Sequence, residues 1–143
     1  MGLDQYAYII SKESVDFTDT NLIIQNEKFL QEELKAQICY WRKHPSLQGW
    51  MENLYTDRGG KGEFNVVAIA LFEEDLDLLE KDIINNKLPF TQGFFFGQDP
   101  DINSSDPEEQ EYFNTLKLKD LEFVKKAKEH VKKGKIVFYD SWW

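Results

Sequence analysis

Three stretches of the chain repeat apolar residues at the three- and four-residue spacing of an amphipathic helix. The first starts at Pro45, a residue pre-set for an initial helical turn, and predicts a helix over 45–55. The second starts with three acidic residues, which suit a helix N-terminus, and predicts a helix over 73–86. The third stops before Gly134 and predicts a helix over 117–133. The expected buried positions are Leu47, Trp50, Met51, Leu54 and Tyr55; Leu76, Leu79 and Ile83; and Leu118, Leu121, Val124, Ala127 and Val131.

Five other stretches are rich in β-branched and aromatic residues and predict strands. Together with the three helices they indicate an α+β fold. We expect one mixed or antiparallel sheet of about five strands, with about three helices packed on it. The predicted strands are 3–10, 36–42, 64–71, 92–97 and 135–141.

The remaining stretches predict connections. Residues 11–27 predict a long connection with a short ordered piece at 22–24, and residues 28–34 predict a short helix without caps. Residues 56–62 contain three Gly and predict a mobile loop. Residues 98–111 carry six acidic residues and two Pro, which predicts a solvated loop.

Composition limits the class of protein. A chain of 143 residues with 41% hydrophobic content is long enough for one core and predicts a single domain over 1–143. The net charge of −9 argues against general nucleic-acid binding, because phosphate neutralisation needs a basic surface. The apolar runs fall short of the roughly 20 residues that span a bilayer, and the first residues do not form a signal peptide. We therefore expect a soluble cytoplasmic protein that does not associate with membranes.

Residues for catalysis or metal binding are few. The single Cys39 lies in a predicted strand, so a buried and unreactive thiol is the favoured interpretation. Cys39 and His44 lie five residues apart across a strand end, a spacing that does not favour a nucleophile and base pair. With two His and one Cys we predict no metal site, no cofactor and no catalytic residue, and a non-enzymatic role is favoured. Asp4, Glu52 and Asp140 stay open as general bases.

The most unusual chemistry lies where the second predicted strand meets the first predicted helix. Backbone N–H groups and the helix dipole favour an anion at such a junction, and cationic residues stand there. Aromatic faces stack on bases and Arg binds phosphate or carboxylate with two parallel bonds, so this set suits a nucleotide-like ligand. Arg42 has a structural alternative, in which it pairs with an acid such as Asp4 or Asp140. The predicted ligand-binding residues are Tyr40, Trp41, Arg42, Lys43, His44, Trp50, Arg58, Lys61, Phe95, Tyr139, Asp140 and Trp142.

Four motifs resemble a family of small, mostly uncharacterised proteins of tailed bacteriophages and prophages. The resemblance covers nearly the whole chain and implies an accessory protein that acts in the host cytoplasm, where such proteins counter host defence or redirect metabolism. Related sequences often read Tyr-Trp-Arg-Lys-Ala-Asn, so His44 and Pro45 depart from the pattern, which argues against a chemical role for His44. The motifs are MGLDxY at 1–6, YWRK at 40–43 with GW at 49–50, GFFFG at 93–97 and FYDSW at 138–142.

Three functions from different classes follow from these observations. The favoured one is binding of a small anionic ligand, including sequestration of a nucleotide signal of host immunity. The second is a protein-binding inhibitor that presents its acidic surface, mainly 98–111, to a host enzyme or defence protein. The third is a small enzyme acting on a nucleotide or sugar phosphate. A homo-oligomer stays an open alternative for each.

Overall fold

One antiparallel sheet forms the frame of the protein. The computed structural model describes residues 2–11, 24–26, 35–93 and 95–143. The strands are β1 (Asp4–Ser11), β2 (Ile24–Asn26), β3 (Lys35–Arg42), β4 (Val67–Leu71) and β5 (Lys135–Trp142). Their order across the sheet is β2-β4-β5-β1-β3, and each neighbouring pair is antiparallel. Within the described ranges this confirms the predicted α+β class and the single sheet.

Strand β1 lies between β3 and β5 and pairs with both. Ala7 lies opposite Cys39 of β3 and opposite Tyr139 of β5. Because side chains alternate between the two faces of a sheet, Ala7 and Tyr139 share one face, and their neighbours along each strand point to the other. Each face is therefore set by every second residue.

Three helices pack on the face that carries Ala7 and Tyr139. They are α1 (Pro45–Asp57), α2 (Glu73–Ile84) and α3 (Pro107–Lys132). The predicted stripes of α1 and α2 are confirmed, since all their members are buried except Leu54, which is partly buried. Among the described helices, none combines the length and the apolar character that a membrane span requires. The core on this face joins the helices to Ala7, Trp41, Ile69, Leu71, Val137 and Tyr139.

The opposite face holds a second and smaller buried apolar cluster. It comprises Ile10, Ala68, Ala70, Ile136 and Phe138. These residues alternate along their strands with the core residues of the helix face, as the register requires. The middle strands β4 and β5 are thus apolar on both faces, which explains their poor hydrophobic alternation in the sequence.

Helix α3 begins ten residues earlier than predicted. The Asp106 side chain accepts a hydrogen bond from the Glu108 backbone N–H, and Pro107 takes the first helical position. These are ordinary N-terminal signals, but they lie within an acidic stretch whose composition resembles a loop. The predicted loop is therefore wrong over 107–111. The predicted burial of Leu118 is also wrong, because this side chain is 68% exposed.

The strand predicted at 92–97 is wrong for the residues described there. Gln92, Gly93, Phe95, Phe96 and Gly97 follow an irregular path, with a turn in which the Phe96 N–H donates to the Gly93 carbonyl. Phe95 and Gly97 have φ angles of 73° and 75°, which lie outside the β region.

Other boundaries shift by small amounts. The strand predicted at 64–71 begins only at Val67, because the preceding Val66 has a φ of 58°. The predicted helix at 28–34 lies outside the described residues. The predicted ordered piece at 22–24 overlaps them only at residue 24, the first residue of β2.

Gly49 allows the connection between α2 and α3 to lie directly against α1. A Cβ atom at this position would lie 1.9 Å from the Thr91 Oγ1 atom and 2.9 Å from its Cβ atom. A helix interior ordinarily favours Ala over Gly, so Gly here serves close approach rather than helix formation. The contact holds the segment around Thr91 against the first helix.

We expect Gly49→Ala to destabilise the protein by about 1–3 kcal/mol, since the added methyl group overpacks a closed contact. Thr91→Gly removes the opposing side chain, so it should restore part of the loss in the double variant. Urea unfolding of the four proteins measures this coupling. Equal effects of Gly49→Ala with and without Thr91 would show that the contact is not the cause.

Candidate functional site

The imidazole of His44 lies between two carboxylates. Its Nδ1 atom is 2.5 Å from Asp99 Oδ1, and its Nε2 atom is 2.7 Å from Asp120 Oδ2. His44 is only 3% exposed and Asp120 only 2%. A buried histidine with an acid on each ring nitrogen is held in one orientation.

The backbone of His44 is fixed by Gln5 of β1. The His44 N–H donates to Gln5 Oε1 at 2.9 Å, and Gln5 Nε2 donates to the His44 carbonyl at 2.9 Å. The preceding Lys43 has a φ of 53°, and its N–H donates to the Leu3 carbonyl at 2.8 Å. This turn redirects the chain from β3 into α1 and aims the His44 ring at α3.

Asp99 caps helix α1 from a distant part of the chain. His44 occupies the N-cap position of α1 but makes no capping bond with its own side chain. Instead Asp99 Oδ2 accepts the backbone N–H of Ser46 at 2.7 Å, while Asp99 Oδ1 binds His44. One carboxylate therefore satisfies a free helix N–H and pairs with the imidazole.

Asp120 connects the same histidine to the core. Its Oδ1 atom accepts the indole Nε1–H of Trp41 at 2.9 Å, and its Oδ2 atom binds His44. Trp41 is buried and packs edge-on against Phe123 with ring centres 4.8 Å apart. The pair of bonds ties α3 to the end of β3 and to the start of α1.

A second buried polar chain lies next to the first. Tyr139 accepts a hydrogen bond from Gln5 Nε2 at 2.9 Å and donates to Gln48 Oε1 at 2.6 Å. Gln48 Nε2 in turn donates to the Phe64 carbonyl at 3.2 Å. Complete burial raises the pKa of Tyr139 well above 10, so the phenol stays neutral and donates.

The surroundings of His44 keep it protonated. Burial alone would disfavour its charge, but the hydrogen bonds and negative charges of Asp120 and Asp99 outweigh burial and raise the pKa of His44 from 6.5 to about 9. Both ring nitrogens then donate, and neither is available as a base at neutral pH. Burial also raises the pKa of the Cys39 thiol, which makes it a poor nucleophile.

His44, Asp99 and Asp120 also line a cavity. The cavity has a volume of about 620 Å³ and opens between the end of α2, the first half of α3 and the connection that joins them. Its polar lining includes Ser46, Asn86, Asp101, Glu109 and Lys117, and its apolar lining includes Ile83, Leu88, Phe90, Ile102, Phe113 and Leu116.

The predicted ligand-binding residues do not form one site. His44 is the only one of the twelve that lines the larger cavity. Trp41 and Arg42 line a smaller groove of about 140 Å³ between β3 and α3. Since residues at alternate positions face opposite sides of a sheet, Tyr40, Arg42, Asp140 and Trp142 belong to the face away from the helices.

Several predicted residues have structural partners. Arg42 pairs with Asp4 at 2.8 Å, and Asp4 also accepts the Tyr40 hydroxyl at 2.6 Å, as the structural alternative for Arg42 proposed. Arg58 binds Asp75 and the Ala70 carbonyl, and its guanidinium lies over the Phe72 ring.

The other predicted residues are buried, exposed or distant from the cavity. Trp50 donates its indole N–H to Asp82 at 2.9 Å, and Tyr139 belongs to the core. Lys43, Lys61 and Phe95 are exposed. These positions explain why the aromatic and cationic residues do not converge on one ligand.

Three residues of the site were missed from sequence. Asp120 stands at a core-facing position of α3, four residues after Leu116 and three before Phe123, and a carboxylate at such a position is a signal of a buried partner. Gln5 likewise stands at a buried position of β1. Asp99 gave no signal of its own, because it is one of six acids in the segment 98–111.

Metal binding has no candidate in the ranges that the structure describes. No group of three or more His, Cys, Asp or Glu side chains there is arranged to hold a metal ion.

Comparison of the chain with family models, with curated proteins and with solved structures finds no match. The function must therefore be inferred from the residues of the site.

We expect the stability of the protein to fall as the pH rises from 6.5 to 9. A histidine whose pKa is raised on folding contributes stability in full below the unfolded value of 6.5, and that contribution is lost as the pH passes through about 9. A shift of this size corresponds to roughly 3 kcal/mol. Urea unfolding across this pH range measures the loss.

Two variants test whether the loss of stability between pH 6.5 and 9 comes from His44. Asp99→Asn removes one negative charge beside the imidazole, so the pKa of folded His44 should be lower. The loss of stability should then be smaller and should be complete at a lower pH. His130→Gln, at a partly exposed position of α3, should follow the wild type. An unchanged profile in Asp99→Asn would contradict the assignment.

We also expect Tyr139→Phe to lower the free energy of unfolding by about 1–3 kcal/mol. The change leaves Gln48 Oε1 without its donor and takes away one acceptor of Gln5 in a buried region. Tyr112→Phe is the matched control because its hydroxyl group lies on an exposed residue of α3. Equal unfolding midpoints for both variants would show that the buried chain contributes nothing.

Proposed function

We propose that this protein binds a small organic molecule in the cavity beside His44. The observation that carries the proposal is the cavity itself. Its volume of about 620 Å³ lies within the range of roughly 300–1,000 Å³ that ligand pockets occupy. Its lining combines apolar walls with polar and charged groups, and hydrogen bonds within the protein orient several of these groups.

Contacts within the protein hold the walls of the cavity in place. Asp99 fixes the connection to the start of α1, and the contact of Thr91 with Gly49 fixes its earlier part. Lys117 of α3 donates to the Ile84 carbonyl at 3.1 Å and to the Asn86 side chain at 2.9 Å, which joins α3 to the end of α2. A pre-formed pocket loses less conformational entropy on binding, and this supports recognition of a free metabolite.

Binding is favoured over catalysis by the chemistry of the cavity. Its histidine is charged and has both nitrogens engaged, so it cannot accept a proton from a substrate. The cysteine that could act as a nucleophile does not line the cavity. These features support a receptor or sequestering role over catalysis by the histidine or the cysteine.

The resemblance to phage proteins suggests where such binding would act. We propose an accessory protein of the host cytoplasm that withdraws a host metabolite. Arg42, Lys43, Arg58 and Lys61 do not line the cavity, so they do not support an anionic ligand there. The proposal thus rests on the cavity rather than on the cations at the strand–helix junction.

The test measures whether a ligand raises the unfolding temperature of the wild-type protein more than that of a variant with a blocked cavity. Native mass spectrometry of protein purified from cells shows any small molecule that remains bound, and a metabolite panel follows by thermal unfolding. Ile102→Trp should fill the cavity mouth and abolish binding, since Ile102 lines the cavity at a partly exposed position. Leu118→Trp is the matched control, because Leu118 is exposed on α3 and does not line the cavity.

Two outcomes would overturn the proposal. A ligand that stabilises Ile102→Trp as much as the wild type binds elsewhere on the protein. The absence of any ligand, combined with specific capture of a basic host protein by the acidic surface, would favour the inhibitor alternative.

A further inference from the structure

We infer that the ligand of this cavity is an organic cation, an ammonium group on an apolar body. The inference rests on the proposed function and adds the chemical class of the ligand. It depends on the charges that line the cavity and on the walls that enclose it. The same observations argue against the anionic ligand expected from the sequence.

The lining of the cavity has a negative formal charge. Four carboxylates line it, Asp99, Asp101, Glu109 and Asp120, and two cations, His44 and Lys117, so the formal sum is −2. Lys117 directs its ammonium group to the carbonyl and amide oxygens at the end of α2. The positive N-terminus of α3 offsets about 0.5 of a charge and leaves the lining negative.

Hydrogen bonds hold the two carboxylates at the cavity mouth in place. Glu109 Oε1 accepts the Asp101 backbone N–H at 2.8 Å, and this bond, together with the Ser104 hydroxyl, lowers the pKa of Glu109. Asp101 Oδ1 accepts the Asn103 N–H at 2.9 Å. A carboxylate that accepts one or two hydrogen bonds keeps further lone pairs for a ligand donor.

The deeper pair of carboxylates is already hydrogen-bonded within the protein. Asp99 and Asp120 share the charge of His44 and accept the Ser46 and Trp41 N–H groups. They do not need a ligand to satisfy them. His44 offsets one of their two negative charges, so this group keeps a formal charge of −1. The other two carboxylates of the lining, Asp101 and Glu109, are not paired with His44 and are the ones open to a cationic ligand.

The walls of the cavity supply the apolar part of the recognition. Phe90 is 87% exposed, and with Phe113, Ile102 and Leu116 it belongs to the apolar lining. Aromatic faces attract cations through their quadrupole, and covering an exposed phenyl ring removes apolar surface from water. A strongly polar polyamine would leave these walls unused, so an ammonium on an aryl or alkyl body fits the lining better.

Three probe compounds of similar shape test which ligand charge the cavity prefers. They are 4-phenylbutylamine, 4-phenylbutanol and 4-phenylbutanoate, which share an apolar body and differ in the charge of one end group. We expect calorimetric titration at low salt to show the amine binding at least about tenfold more tightly than the alcohol, and the carboxylate most weakly. The preference for the amine should diminish as salt is added, since the mouth carboxylates are exposed to solvent.

Two variants locate the preference. Glu109→Gln and Asp101→Asn keep an oxygen acceptor for the loop hydrogen bonds and remove the negative charge. Each should reduce amine binding by several fold and leave alcohol binding unchanged. Glu111→Gln is the control, because Glu111 is exposed on the same helix and does not line the cavity.

The outcomes separate this inference from the proposed function. Equal binding of amine and alcohol, or tightest binding of the carboxylate, overturns the cationic ligand and leaves the cavity as a ligand site. Amine binding that survives both mouth variants also overturns it. Binding of none of the three probes at millimolar concentration, with Ile102→Trp no different from wild type, counts against the cavity and the inference together.

Discussion

The charged imidazole of His44 is the point at which four separate parts of the chain meet. It follows β3 and starts α1, it binds Asp120 of α3, and it binds Asp99 of the connection between α2 and α3. Removing one member of a buried charged group leaves the others uncompensated, at a cost of about 3–5 kcal/mol. The positions of α1, α3 and the cavity wall therefore depend on one another through a single ring.

Such a group fixes position more than it adds stability. A well-packed apolar replacement of a buried ion pair is often neutral or stabilising, because burial of charge is costly. The bonds of Asp99 and Asp120 are directional, however, and apolar contacts are not. We interpret the group of His44, Asp99 and Asp120 as the element that selects one arrangement of the helices over the sheet. Gln5, which is hydrogen-bonded to Tyr139, fixes the backbone of His44 in the same way.

Much of the fold could be predicted from sequence because periodicity is local. The stripe Leu76, Leu79 and Ile83 and the β-rich run of β5 lie within one element and need no partner to be recognised. The sequence-based prediction is wrong where the composition of a segment is typical of a different secondary structure. The first turns of α3 are acidic and resemble a loop, and the aromatic run near Phe95 resembles a strand although its backbone adopts positive φ.

The site could be predicted only in part, for a related reason. His44 was recognised as unusual, but Asp99 and Asp120 lie 55 and 76 residues further along the chain. No local pattern marks a pairing over such distances, and the cavity arises from three elements that meet only in the folded protein. The arginines are a misleading signal, because Arg42 pairs with Asp4 and Arg58, which follows the end of α1, pairs with Asp75.

The capping of α1 by Asp99 has a consequence for local opening of the native state. A helix with its own N-cap residue can keep its first turn when neighbouring loops open. Here the Ser46 amide is protected by a carboxylate on another segment, so detachment of that segment exposes the amide to solvent without global unfolding. The start of α1 and the wall of the cavity thus form one cooperative opening unit, and amide exchange at Ser46 reports how often the cavity wall separates from the helix.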